Sequence, residues 1–578
     1  MLDPKRTATY TEQSLARVIK GSSGIASEHS VQQQSKIIVE RQPSAKHTPY
    51  SSLAVIVVSV FTFSFGLGRL GFLGPDEPRY AEVAREMFVS GDYISTRLCG
   101  CLWFEKPALL YWLSATGYRL FGVNEFAARL PTTLIAVATV AIVCFALTGF
   151  RRRGQGIAAA LVLATESMFI AYARVATPDM ILTASITVAL LASFKACRTN
   201  GRARTIYWSL AFSSTALAVL AKGLVGIVLV VLILGLWMIL TGKLRTLGLR
   251  DAIVGSAVFI IVAGSWYGPV IWRHGWSFIH EFFIRHHFQR YTSNEFGHPQ
   301  PVYFFAIVAL AGLAPWTFFL ISALVRLRFV LGKDSLLTLA WIWTVIPLLF
   351  FSFSESKLPG YILPIFPAMA IIVGAELERV WNGESGRALL VAKLLTALVL
   401  IGMGVGFLVF TRSEHVAISG WNAFLDALPI TVALAALVAL LLRRYRIFVG
   451  ATAGVVVSIV LAAVILLFPT LYNEVSLKSL SLEAAAALRP GEKIGFYLKK
   501  EFAPVFYAEG RVLCEPRRGG TFYALHQEMV NDALQSEPSL VLITDEKWRE
   551  GLENDSRFKT ELIASQGDSL ALRVELRK

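Results

Sequence analysis

The chain has 578 residues, of which 55% are hydrophobic and only 16% charged, against about a quarter charged in an ordinary soluble domain. With a mean hydropathy of +0.57, a water-soluble protein of this size would have to expose much of its apolar surface, so composition points to a bilayer as solvent. The formal charge of +15 does not mark a nucleic-acid binder, because the basic residues form no single patch. They fall in short clusters between apolar runs, at 151–153, 195–204, 243–250, 326–333 and 443–446. That is the spacing left by an excess of cations on cytoplasmic loops.

Residues 1–50 are polar, with no apolar core near Met1, and read as a disordered cytoplasmic tail rather than a cleavable signal peptide. A span needs about 20 mostly apolar residues to cross about 30 Å of hydrocarbon. Candidates lie near 52–73, 126–148, 156–174, 178–195, 207–221, 224–240, 252–271, 302–324, 335–353, 359–377, 390–411, 428–442 and 447–468. The expectation is therefore an all-α polytopic membrane domain over 51–469, with about thirteen transmembrane helices. Threaded from a cytoplasmic N-terminus, every basic cluster falls inside, and the loops 74–125 and 273–300 fall outside. From about 470 to 578 charge returns. Short β-like runs at 493–498, 539–544 and 569–576 alternate with helical patterns at 482–488 and 522–534, which predicts a small soluble α/β domain on the outer side.

Cys99, Cys101, Cys144, Cys197 and Cys514 have no metal-ligand spacing. A disulfide from Cys99 or Cys101 to Cys514 is compatible with two outer segments, but unpaired cysteines are the expectation.

The first outer loop opens with Gly-Pro-Asp76-Glu77-Pro-Arg79-Tyr80. Tyr80, Val83, Ala84, Met87 and Phe88 follow helical spacing, with Arg79, Glu82 and Glu86 off that stripe. This predicts an amphipathic helix lying on the membrane surface. Asp76 reads equally as a helix N-cap before Pro78 and as an acid/base group at a span's end, where ionisable residues are functional candidates. The loop continues with Trp103-Phe104-Glu105-Lys106-Pro107 and a second apolar helix. Glu105 and Lys106 are adjacent and would not face one another on a helix, so they suit two separate contacts at the mouth of a cavity.

The run GPDEPRYAEVAREM, followed by SGDY, TRL, WFEKPALLYW and LFGVNEFAARLP, resembles the bacterial 4-amino-4-deoxy-L-arabinose lipid A transferases. More broadly it resembles the GT-C membrane glycosyltransferases that use polyprenyl-phosphate sugars, protein O-mannosyltransferases among them. The resemblance extends to the SKLPGYILP run at 356–364 and implies a glycosyltransferase of the inner membrane whose site and C-terminal domain face the periplasm. The partners it implies are a polyprenyl-phosphate sugar donor, a lipid A, glycan or protein acceptor, and membrane lipids, with no nucleic acid.

The resemblance also implies roles for residues that each have a plainer account. Asp76 is the first carboxylate and Asp179 the second, although Thr177 or Asp179 could simply cap the next span. Lys222 becomes a phosphate contact rather than a snorkelling lysine. Glu105 and His287 become a metal pair for a divalent ion (Zn, Mg or Mn) completed by water and donor phosphate. Otherwise His287 is one of several histidines on a polar surface loop. Lys106 and Arg290 contact the donor phosphate, Arg290 through its rigid fork. Tyr361 and, more weakly, Lys357 join them, where interfacial anchoring is the alternative. Two rival functions stay open: transfer to protein Ser/Thr in the manner of O-mannosyltransferases, and a lipid or solute transporter. A transporter would place its charges nearer the bilayer midplane and show pseudo-repeats.

Overall fold

The computed structural model describes residues 49–289, 300–327, 331–332, 335–414, 416, 420–514 and 524–577. Helices dominate up to residue 475, and each of the thirteen expected apolar segments is helical over most of its length. Among the described residues, eight helices are long and apolar enough to cross a membrane, or ten if each of two bent pairs counts as one span. The expected count of thirteen is therefore not reached by length and composition. Pro49–Ser64 and Val225–Leu240 have 16 residues each, about 24 Å of helix, which is short of the hydrocarbon thickness. Gly201–Lys222 opens on the polar run GRARTIYW. The bent pairs are Arg153–Thr165 with Ser167–Ala173, turned by 64°, and Phe304–Gly312 with Thr317–Val325, turned by 113°.

An arginine ties the ends of two of these helices together. Arg174 donates to the carbonyls of Thr62 and Phe65 at 2.9 and 2.8 Å, satisfying acceptors that the first helix leaves open at its C-terminus. The 273–300 segment does not begin as a loop. Helix Leu249–Ile279, broken at Gly275, continues into a π-helical turn over His280–Gln289. It meets the first outer loop through Arg273 on Asp92 at 2.8 Å and the Trp266 indole on the Ile94 carbonyl at 2.9 Å.

In the first outer loop, helix Asp76–Ser90 carries two acids in its first turn and stops at Gly91, whose φ of 70° is the left-handed conformation glycine tolerates. A tight hairpin follows, β1 (Arg97–Leu98) with β2 (Cys101–Leu102), turning on Cys99 and Gly100, both at positive φ. Helix Leu109–Phe121 then returns beneath the first, the Tyr118 hydroxyl donating to the Ala81 carbonyl at 3.1 Å.

The C-terminal part contains a five-stranded sheet in the order β4-β3-β5-β7-β6. Strands β3 (Lys493–Tyr497), β4 (Ala524–Leu525) and β5 (Leu540–Asp545) run parallel. Strands β6 (Phe558–Gln566) and β7 (Ser569–Leu576) form an antiparallel hairpin on β5. The near-continuous apolar run Leu540–Ile543 is buried throughout, as a strand covered on both faces requires. The three expected strands correspond to β3, β5 and β7; two more are additional, β4, which falls inside the expected helical run 522–534, and β6. Its sequence FKTELIASQ alternates buried and exposed positions poorly, because an edge strand carries charge on the side that solvent reaches.

Helix Asp76–Ser90 is not a free amphipathic helix on a membrane surface. Its polar side is buried as well: Glu77 is 2% and Glu82 0% exposed. At Glu82 the covering surface is the C-terminal domain. The Tyr507 hydroxyl accepts from the Phe72 amide at 3.0 Å and donates to Glu125 at 2.8 Å, and Lys478 joins Glu125 at 2.7 Å. Gly510, at φ +79°, brings its backbone so close that a Cβ there would lie 3.1 Å from the Arg85 guanidinium. Cys99 and Cys514, 415 residues apart with Cα atoms 6.2 Å from each other, form a disulfide. The expectation of unpaired cysteines is thus corrected for this pair, since the hairpin turn presents Cys99 to the C-terminal domain. Cys101, Cys144 and Cys197 are free.

Burial pushes the Glu82 carboxyl up to about 8, with the bidentate Arg85 pair at 2.7 and 2.8 Å pulling the other way. A carboxyl raised in the folded state binds its proton there but not in the unfolded chain between about 4.5 and about 8. Its contribution is then complete below the unfolded pKa and is lost as pH rises through the folded one. The melting temperature of the detergent-solubilised protein is expected to fall between about pH 4.5 and about pH 8 and to level off above that, and Glu82→Gln to flatten that slope. An unchanged slope in the variant would contradict this.

Candidate active site

The geometry begins with Glu77. One carboxylate oxygen accepts from Arg129 Nε at 2.7 Å and the Ala176 amide at 2.9 Å. The other accepts from Arg129 Nη2 at 2.8 Å and the Leu73 amide at 2.9 Å. The remaining Arg129 donors reach the carbonyls of Leu67, Leu70 and Gly71 at 2.8–2.9 Å. Buried charges persist only when paired and hydrogen-bonded, and this pair is fully so. The clasp joins the start of the first outer loop to the outer turn before helix Pro178–Ala196, and so brings Asp76 to the same place as Asp179.

Between them opens a cavity of about 660 Å³. Its lining is mixed, with the polar side chains Asp76, Glu105, Lys106, Asp179, Lys222 and Tyr361 and the apolar Val225, Val228, Phe350 and Phe351. Pockets of this size and mixed lining are the usual form of small-molecule sites. Of the nine residues expected at the site, these six meet on one cavity. Lys357 is not among its lining residues: it is 7% exposed and donates to the Ser354 carbonyl at 2.6 Å. The His287 side chain and Arg290 lie outside the described residues.

Capping does not account for the two aspartates. Pro75 occupies the N-cap of helix Asp76–Ser90, and Thr177 that of Pro178–Ala196, in both cases with no side-chain capping bond. Asp76 pairs instead with Arg79, and Asp179 with Lys222. Glu105 is held by Lys106 at 3.0 Å and by Arg79 at 3.3 Å. The Lys222 ammonium stands 4.7 Å from the centre of the Tyr361 ring. Tyr361 lies in the 3-10 turn Pro359–Ile365, where Gly360 leaves room for Tyr172: a Cβ would come within 2.7 Å of that ring.

Among the described residues the site therefore alternates four carboxylates, Asp76, Glu77, Glu105 and Asp179, with four cations, Arg79, Lys106, Arg129 and Lys222. Arg79, Glu77 and Arg129 went unassigned in the sequence. The cluster's own charges perturb it. The carboxylates of Glu105 and Asp76 and the Tyr80 hydroxyl hold the Arg79 guanidinium above its ordinary range, although burial, the largest influence, acts in the opposite sense. Among the described residues no three His, Cys, Asp or Glu side chains gather as a metal site. Glu105, the expected metal ligand among the described residues, is paired with Lys106 and Arg79, and the side chain of its expected partner His287 lies outside them.

The comparisons with known proteins bear on this geometry. Residues 105–267 match the family model described as dolichyl-phosphate-mannose-protein mannosyltransferase. The undecaprenyl phosphate-alpha-4-amino-4-deoxy-L-arabinose arabinosyl transferase of Erwinia tasmaniensis is 29% identical over 62% of this chain and 64% of its own length. That of Edwardsiella ictaluri is 31% identical over 61% and 63%. This chain is similar to the bacterial aminoarabinose transferases. It spans less than two thirds of the length of these relatives. The fold similarity extends further. The crystal structure of ArnT from Cupriavidus metallidurans bound to undecaprenyl phosphate superposes with a TM-score of 0.74, covering 90% of this chain and 97% of that one at 23% identity. The chain thus shares the fold of that structure, with eight to ten candidate membrane spans among the described residues and a small C-terminal sheet.

Proposed function

We propose that the protein is a membrane glycosyltransferase that moves a sugar, 4-amino-4-deoxy-L-arabinose or a close analogue, from a polyprenyl-phosphate carrier to lipid A. The observation that carries this is the cavity itself, whose lining combines paired acids and cations with apolar side chains compatible with an isoprenoid. The relatives' names supply the donor class.

The leaving group is polyprenyl phosphate. As it departs, negative charge concentrates on the phosphate oxygens while the anomeric carbon becomes cationic. Cations held in advance stabilise that change, and more strongly in a water-poor site than in bulk water. Lys106 and Lys222 provide them, each oriented by a carboxylate, and the Tyr361 hydroxyl can donate beside Lys222. Arg290 is proposed as a further contact. Asp76, with 44% of its side chain exposed, is the carboxylate best able to reach an incoming acceptor and take its proton or orient it. With a lipid A phosphate as acceptor no strong base is needed, and Asp76 would then hold the sugar's ammonium group. Asp179 acts through Lys222.

Two observations support a site on the outer face of the inner membrane. The basic clusters fall on the opposite side of the threaded chain, and the Cys99–Cys514 disulfide belongs to an oxidising compartment.

Protein O-mannosylation stays as a second reading because the matched family model carries that activity in its name. Mass spectrometry of lipid A and surface proteins from wild-type and deletion cells separates them. Loss of a pentosamine from lipid A is the expected result, whereas loss of hexose from protein with unaltered lipid A would favour the second.

A further inference from the structure

We propose that the C-terminal domain belongs to the reaction site through Phe502, a positioning residue that holds Arg79 against Asp76 and Glu105. The inference rests on the glycosyltransferase reading. The Arg79 guanidinium lies 5.1 Å from the centre of the Phe502 ring, 5.2 Å from Tyr80 and 5.9 Å from Trp103. Tyr80 and Trp103 come from the first outer loop, and Phe502 from the loop after β3 in the C-terminal domain.

A guanidinium is weakly hydrated and sits well against aromatic faces. Hydrogen bonds alone do not fix Arg79, for among the described residues its Nε has no hydrogen-bond partner. Phe502 itself is fixed. It is 6% exposed and directly precedes helix Ala503–Tyr507, whose Phe506 packs edge-on against Phe72 at 4.8 Å. The disulfide and the Tyr507–Glu125 bond anchor the same domain on the same loop. Arg79 pairs with both Asp76 and Glu105. Any slack in Arg79 therefore passes to both carboxylates, and through Glu105 to Lys106.

Phe502→Leu keeps an apolar side chain of similar bulk but removes the aromatic face. Displacements of about 1 Å at a positioned group cost up to about a hundredfold in rate. Phe502→Leu is expected to lower kcat about tenfold with KM for the lipid-linked donor nearly unchanged, and Phe502→Tyr to restore it. A second readout does not depend on transfer. Phenylglyoxal modification of the full-length protein, mapped by peptide mass spectrometry, is expected to reach Arg79 faster in Phe502→Leu than in wild type or Phe502→Tyr. Equal modification rates in all three, or equal loss of kcat in the leucine and tyrosine variants, would overturn the inference. If wild-type protein transfers no sugar, the functional reading fails, while the modification rates still decide the role of Phe502.

Discussion

Asp76→Asn is expected to reduce transfer about a thousandfold while leaving the protein folded and inserted, and Lys106→Ala to do the same. The first substitution removes a negative charge at a side chain that is 44% exposed, so little desolvation or packing changes with it. Arg79 loses one carboxylate but keeps Glu105 at 3.3 Å. What disappears is the group that accepts a proton or fixes the acceptor. Lys106→Ala removes a cation held at 3.0 Å from Glu105 and leaves that carboxylate facing the space where phosphate charge develops. Initial rates of transfer from an undecaprenyl-phosphate-linked sugar, at matched amounts of folded protein, measure both. Rates within about tenfold of wild type in both variants would remove these residues from the site.

Arg129→Ala acts on the fold instead. The side chain is 2% exposed and satisfies a carboxylate and three carbonyls. Its truncation leaves Glu77 charged and buried without its cation, a loss of about 3–5 kcal/mol. The folded, monodisperse fraction after detergent extraction should fall sharply, and the surviving protein should melt lower. Replacing both partners by apolar residues of similar volume, Arg129→Met with Glu77→Leu, should recover much of that stability, because no charge is then stranded. A single Arg129→Ala variant that melts like wild type would mean that the clasp does not hold the outer loop in place. The contrast with Asp76→Asn separates the adjacent acids: one serves chemistry, the other architecture.

Much of this architecture is legible in the sequence because membrane helices announce themselves through continuous apolar runs. The adjacent motifs around Asp76 and Glu105 likewise lie in one loop, so their convergence follows from local chain direction. Asp179, Lys222 and Tyr361 stand at the outer ends of their helices, and a common cavity there needs only the threading. Other features depend on contacts between distant segments, to which periodicity is blind. Glu82 and Arg79 read as solvated because nothing nearby in sequence covers them; the C-terminal domain does. Glu77 beside Asp76 gives no sign of which acid turns inward, since that is decided by Arg129, one turn into the next long helix. Lys357 lies beside a site residue in sequence, but its ammonium is drawn to the carbonyl of Ser354. The number of spans resisted counting because two helix pairs are bent, two helices are short and one opens on polar residues.

The central claim is that Asp76, Glu105, Lys106, Asp179, Lys222 and Tyr361 surround a single carrier-phosphate site. A structure of the full-length protein with undecaprenyl phosphate tests it most directly. The phosphate is expected within hydrogen-bonding distance of Lys106, Lys222 or the Tyr361 hydroxyl, with the isoprenoid chain along Val225, Val228 and Phe351. A phosphate bound elsewhere, with this cavity filled only by water, would contradict it.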